Sequence, residues 1–73
     1  MASRYKFSEE EIQELEKARK SNKDKRAEAR LKALILRAKG ASAIEVSQAT
    51  GFHAGSVTRL VAKYRDRGIE AIT

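Results

Sequence analysis

The feature that most constrains this chain is a corner at Gly51. Residues 43–50 read as a short helix and residues 54–67 as a longer one, with only Gly51, Phe52 and His53 between them. So short a connection forces the two helices to cross closely, and the crossing then dictates side-chain size. Ser47 is small at that place, and Gly51 has the backbone freedom to leave the first helix in a left-handed conformation. Val46, Phe52, Val57 and Leu60 are apolar where the two helices face each other. Ser42 followed by Glu45 is a capping box, each side chain satisfying a free backbone N–H at the helix start.

The longer helix carries Val57, Leu60, Val61 and Tyr64 at i, i+3, i+4 and i+7, a single apolar stripe. Counting about 100° per residue away from it, the opposite face holds Gly55, Arg59, Ala62 and Asp66, flanked by Ser56, Thr58 and Lys63. Two helices joined in this way make a helix-turn-helix, whose second helix is shaped to lie in a DNA major groove. Arg59 is the leading base-reading candidate, because a guanidinium can donate two parallel hydrogen bonds to guanine. Ala54 and Gly55 are small enough to let the helix N-terminus approach a phosphate. The plainer reading is a solvated helix face in a small bundle.

Size and composition narrow the alternatives. Seventy-three residues hold one domain at most, and its apolar fraction of 41% comes almost wholly from aliphatic residues. With no proline, only four glycines and no strand pattern, the chain is expected to be all-α. One histidine and no cysteine cannot fill the four ligand positions of structural zinc, so no metal and no cofactor are expected. No pair of carboxylates, nucleophile-base set or phosphate-binding glycine loop is present, and an enzyme is the weakest reading.

The net charge of +6, with a sequence pI near 10.0, calls for a polyanionic partner. A membrane surface fits poorly, since no apolar run approaches ~20 residues and no basic face is paired with large aromatics. Double-stranded DNA is therefore the partner expected. Without a signal peptide or cysteine, the expected location is cytoplasmic, with the nucleoid.

Taken in order, residues 1–7 read as a flexible basic arm bearing Arg4 and Lys6, and residues 8–73 as one domain. Such arms enter a minor groove in some proteins, and disorder is the other reading. Ser8 and Glu11 form a capping box, and Phe7 can pack on Ile12 as a hydrophobic staple, starting a helix over about 8–20. Its inner stripe of Ile12, Leu15 and Ala18 or Arg19 is thin, so it is expected to be the least firmly docked element. Its glutamates argue that its N-terminal end points away from DNA.

Lys23, Lys25 and Arg26 then reverse the charge and suggest a phosphate clamp, against the plain reading of a solvated linker. Arg65 and Arg67, at the end of the last helix, join them as candidate phosphate contacts. A third helix-forming stretch spans about 22–39, capped by Ser21 or Asn22, with Ala27, Leu31, Leu34, Ile35 and Ala38 on one face and Gly40 past its end. Leu36 lies off that face, free to contact the first helix or a partner chain. Ile69 and Ile72 make an apolar tail that covers the core, and this ending reads as a chain cut from something longer.

The runs Lys25–Gly40, Ile44–Gly51 and Ser56–Ala71 resemble the N-terminal DNA-binding region of bacterial insertion-sequence transposases related to mariner elements. The resemblance covers about two-thirds of the chain and implies a homeodomain-like helical bundle, here with an extra N-terminal helix. It implies recognition of terminal inverted repeats through Ser56, Thr58, Arg59 and Lys63, with catalysis residing in a domain outside this chain. Two positions depart from the pattern. His53 stands where serine is usual and caps poorly, leaving a DNA contact, a frayed helix start or an ordinary surface histidine. Thr50 replaces a larger apolar residue, which should loosen the short helix.

Two rivals remain at this stage. One is a helix-turn-helix transcriptional regulator. The other is a protein-interaction or oligomerisation module using the glutamate-rich first helix and Leu36, with a homodimer formed through the N-terminal helix or in the full-length protein.

Overall fold

The apolar residues of the central stretch recur too broadly to serve a single neighbour. Leu31, Leu34 and Ile35 face one way, while Ala33 and Leu36 fall to the side. In the computed structural model, which describes residues 6–72, this stretch is the helix around which the others gather. Four α-helices and a closing turn follow in order: α1 (Glu9–Ser21), α2 (Lys25–Ala38), α3 (Ala43–Thr50), α4 (Ala54–Arg67) and the 3-10 turn Ile69–Ala71. The described residues contain no strand, so the domain is an all-α bundle.

Two packed clusters account for its cohesion. The larger joins Leu15 of α1 to Leu31, Leu34 and Ile35 of α2, Tyr64 of α4 and Ile72 of the tail. The smaller joins Ala33 of α2 to Val46 of α3 and Val57 of α4, with Leu36, Phe52 and Leu60 packed on its margin. Ala33 is fully buried although it lies outside the expected face. The reason is that α2 is covered on two sides, and a small side chain there lets α3 and α4 come close. Leu36 is spent on this second cluster, inside the chain.

Both capping boxes form. Glu11 N–H donates to Ser8 Oγ at 3.1 Å while Ser8 N–H donates to Glu11 Oε1 at 2.9 Å, and Ser42 and Glu45 repeat the exchange with the same two distances. The start of α2 corrects the expectation. Asp24, not Ser21 or Asn22, is its N-cap, accepting from Arg26 N–H at 2.9 Å. Ser21 is occupied one turn back on the Lys17 carbonyl, and Asn22 is tied into the turn by bonds to the backbone of Asp24. The helix expected over 22–39 therefore runs from Lys25 to Ala38.

The first helix docks through a thin stripe in which Leu15 alone is buried. Leu15 is completely buried, and α1 folds back along α2 with ion pairs from Arg19 to Glu28 and from Lys39 to Glu16. Both pairs are half-exposed and contribute little. The docking rests on apolar packing and on Tyr64, whose hydroxyl donates to Glu14 at 2.6 Å. Of the arm expected over residues 1–7, Arg4 and its neighbours lie outside the described residues. Phe7 stacks its ring on Tyr64, with centroids 5.6 Å apart, and adds to the larger cluster.

A buried leucine that joins three helices and the tail should be costly to shorten. Leu15→Ala is expected to destabilise the domain by about 2–5 kcal/mol, measured as a lower urea midpoint. A mutant that unfolds at the wild-type midpoint would mean that α1 is not part of the cooperative unit.

Candidate nucleic-acid interface

The corner forms as the residue sizes require. Gly51 takes φ +85°, in the left-handed region, and its N–H donates to the Ser47 carbonyl at 2.8 Å. Thr50 is used here rather than wasted. Its hydroxyl donates back to the Val46 carbonyl at 2.7 Å and accepts a long bond, 3.4 Å, from Phe52 N–H. The hydroxyl thus satisfies itself within the turn, in a position where an apolar side chain would have packed.

Beyond the corner α4 begins at an unassisted N-cap. His53 has the extended backbone of a capping residue but makes no side-chain capping bond, and it is exposed. Gly55 is exposed too, and a Cβ built on it would meet nothing within 4 Å. No packing inside the domain requires glycine there. Thr58 is exposed, its hydroxyl donating to the Ala54 carbonyl at 3.2 Å.

The other face of α4 holds it to the domain. Val57 and Tyr64 are buried, and Leu60 and Val61 are half-buried, as the stripe required. Five residues separate Arg59 from Tyr64, placing them about 140° apart around the helix. Since Tyr64 meets Phe7 and Glu14, α1 lies behind α4, on the side away from Arg59. Five of the chain's ten carboxylates, Glu9, Glu10, Glu11, Glu14 and Glu16, belong to that rear helix, which keeps half the negative charge off the front.

On the front, Ser56, Arg59, Leu60 and Lys63 line a groove with Phe52 and with Arg30 of α2. Arg30 and Phe52 are shared with a second hollow, whose other walls are Lys25, Arg26 and Ala29. The two adjoin along these shared walls, and together they make up the depression between the start of α2 and the middle of α4. Neither is lined by a carboxylate. Arg59 and Lys63 are exposed and have no ion-pair partner among the described residues.

Of the residues singled out from sequence, the structure thus gathers Ser56, Arg59, Lys63, Lys25 and Arg26 around one depression. Gly55, Thr58 and His53 lie outside its walls, on exposed parts of α4 and its cap. Lys23 lines a separate hollow at the turn into α2, alongside Asp24 and Glu28. Arg65 is bonded to Asp66 at 3.1 Å, and Arg67 is exposed on the last turn. Sequence reasoning missed Arg30 and the wall formed by Phe52. The signal for Arg30 was present in its position one turn after Arg26, on a helix whose start was already suspected of meeting phosphate.

A short helix, a glycine-hinged turn and a longer exposed helix, all seated on α2, define a helix-turn-helix domain. A family model described as a homeodomain-like domain matches residues 24–73, and the chain belongs to that family. The match takes in α2, α3, α4 and the tail, while α1 precedes it. Neither a search of curated proteins nor one of solved structures found a match to the chain.

The missing cap at His53 has a measurable consequence. His53→Ser should supply the absent bond to a backbone N–H of α4 and stabilise the domain by about 1 kcal/mol, seen as a higher urea midpoint. An unchanged or lower midpoint would show that the helix start is satisfied by other means.

Proposed function

We propose that this domain binds duplex DNA with α4 in the major groove, Arg59 reading a base edge and Lys25 and Arg26 holding phosphates. The observation that carries the reading is the carboxylate-free depression, where cations of α2 and α4 converge beside an exposed helix with an open N-terminus. Concentrated positive potential of this kind supplies affinity for phosphates independent of sequence, and the face of α4 supplies selectivity. His53, Gly55, Ser56, Thr58 and Lys63 sit along that helix where they can refine the choice of bases. Arg65 and Arg67 extend the positive edge at its far end.

The finer proposal concerns the target. The resemblance of the helix-turn-helix region to insertion-sequence transposases supports the terminal inverted repeats of such an element as its site. On this reading the chain is the DNA-recognising part of a transposase, acting in the bacterial cytoplasm, and the cutting chemistry belongs to a further domain.

Selection of sites from random duplexes at one stated salt concentration tests both levels. The wild type should enrich a sequence matching the ends of a mobile element in its own genome. A sequence found in promoters instead would make it a transcriptional regulator, and no enrichment at all would remove specific recognition. Arg59→Ala should flatten the preference at one base pair by roughly 1–3 kcal/mol. Lys25→Ala should weaken binding to every duplex alike. If Arg59→Ala retains the full preference, the role given to Arg59 is wrong.

A further inference from the structure

Arg30 is a half-buried cation with no acidic partner among the described residues. One of its terminal nitrogens, Nη1, donates to the carbonyl of Ile72 at 3.0 Å, and no ion pair to a carboxylate is present among the described residues. A partly desolvated guanidinium held by a single neutral acceptor is incompletely compensated, since it has five N–H donors to satisfy. Its remaining donors belong to a group that walls both halves of the depression between α2 and α4. Arg26 stands one turn before it on α2, about 6 Å along the axis.

The tail explains why Arg30 is held there. Ile72 is completely buried in the larger cluster, and its N–H donates to Ile69 at 3.0 Å, so its carbonyl is fixed relative to the core. That carbonyl restrains the guanidinium of a residue that lines the depression together with Phe52 and Ala29. A restrained arginine loses less rotamer freedom on meeting an anion than a free surface lysine does.

We propose that Arg30 is a preorganised phosphate contact, seating one strand of the bound DNA in the depression between α2 and α4, with the Ile72 carbonyl as the group that positions it. The occupant is the sugar-phosphate backbone of that strand. Its phosphate oxygens take the free donors of Arg30 and the charge of Arg26, and its sugars lie against Phe52. This rests on the proposal that the domain binds duplex DNA, and adds to it a residue and a coupling that neither the corner nor α4 implies. By this coupling the way the last residues dock on the core sets the strength of a DNA contact some forty positions earlier in the chain.

The test is a titration of the full chain with a labelled duplex, followed by anisotropy at several salt concentrations, for wild type, Arg30→Ala and Arg30→Lys. Arg30→Ala should bind roughly tenfold more weakly to all duplexes. Its plot of log affinity against log salt should be shallower by about 0.9, the loss of one phosphate contact, with sequence preference intact. Arg30→Lys keeps the charge without the planar fork, so it should keep the wild-type slope and fall between the other two in affinity. Circular dichroism at the titration temperature ensures that only folded protein is compared. A slope for Arg30→Ala equal to that of wild type would overturn the proposal, because a merely structural role changes the folded fraction and not the number of ions released. A wild type that fails to bind duplex at any salt would remove the underlying DNA-binding reading as well.

Discussion

The burial of α2 on two sides at once is the constraint on which the rest of the domain depends. Leu31, Leu34 and Ile35 gather α1, α4 and the tail on one side, while Ala33 admits α3 and α4 on the other. Helices as short as the eight residues of α3 are not stable alone, and their packing face must be supplied by something longer. α2 supplies it. Because α4 is fixed through Val57 to one cluster and through Tyr64 to the other, its rotation about its own axis is not free, and the direction in which Arg59 points follows from the core.

That rotation separates the charges. Tyr64 faces back to Glu14 and Phe7, so the acidic helix and the cationic face of α4 lie on opposite sides of one cylinder. Had the three glutamates of the first turn of α1 lain in front, they would have opposed any polyanion approaching Arg59 and Lys63. The same packing brings the start of α2 near the middle of α4, so that Lys25 and Arg26 line the hollow next to the groove of Arg59 and Lys63, with Arg30 in the walls of both. Apolar contacts thereby determine where the cations act.

Much of this was legible in the residues, and the parts that were not share a cause. The corner, both capping boxes and the stripe on α4 are local patterns, in which residues within one or two turns satisfy each other, and they stand where the sequence placed them. The start of α2 was misplaced because Ser21, Asn22 and Asp24 can all cap, and only the geometry of the turn decides among them. The surroundings of Leu15 were only partly legible, because Tyr64 and Ile72, which close the cluster that Leu15 forms with α2, lie far along the chain. Arg30 went unnoticed for the same reason, since the carbonyl that holds it is 42 residues distant. Spacing reveals which face of a helix is apolar, not which cation another element will lock in place.

If the packing of α2 presents α4, with the first turns of α2 beside it, as the proposed DNA-binding surface, backbone amide shifts mapped during a titration with a selected duplex will reveal it. Perturbations are expected to gather at residues 54–63 and 25–30, while residues 9–16 of the acidic helix stay at their free positions. Shifts concentrated on residues 9–16, with 54–63 unmoved, would mean that DNA meets the other side of the domain.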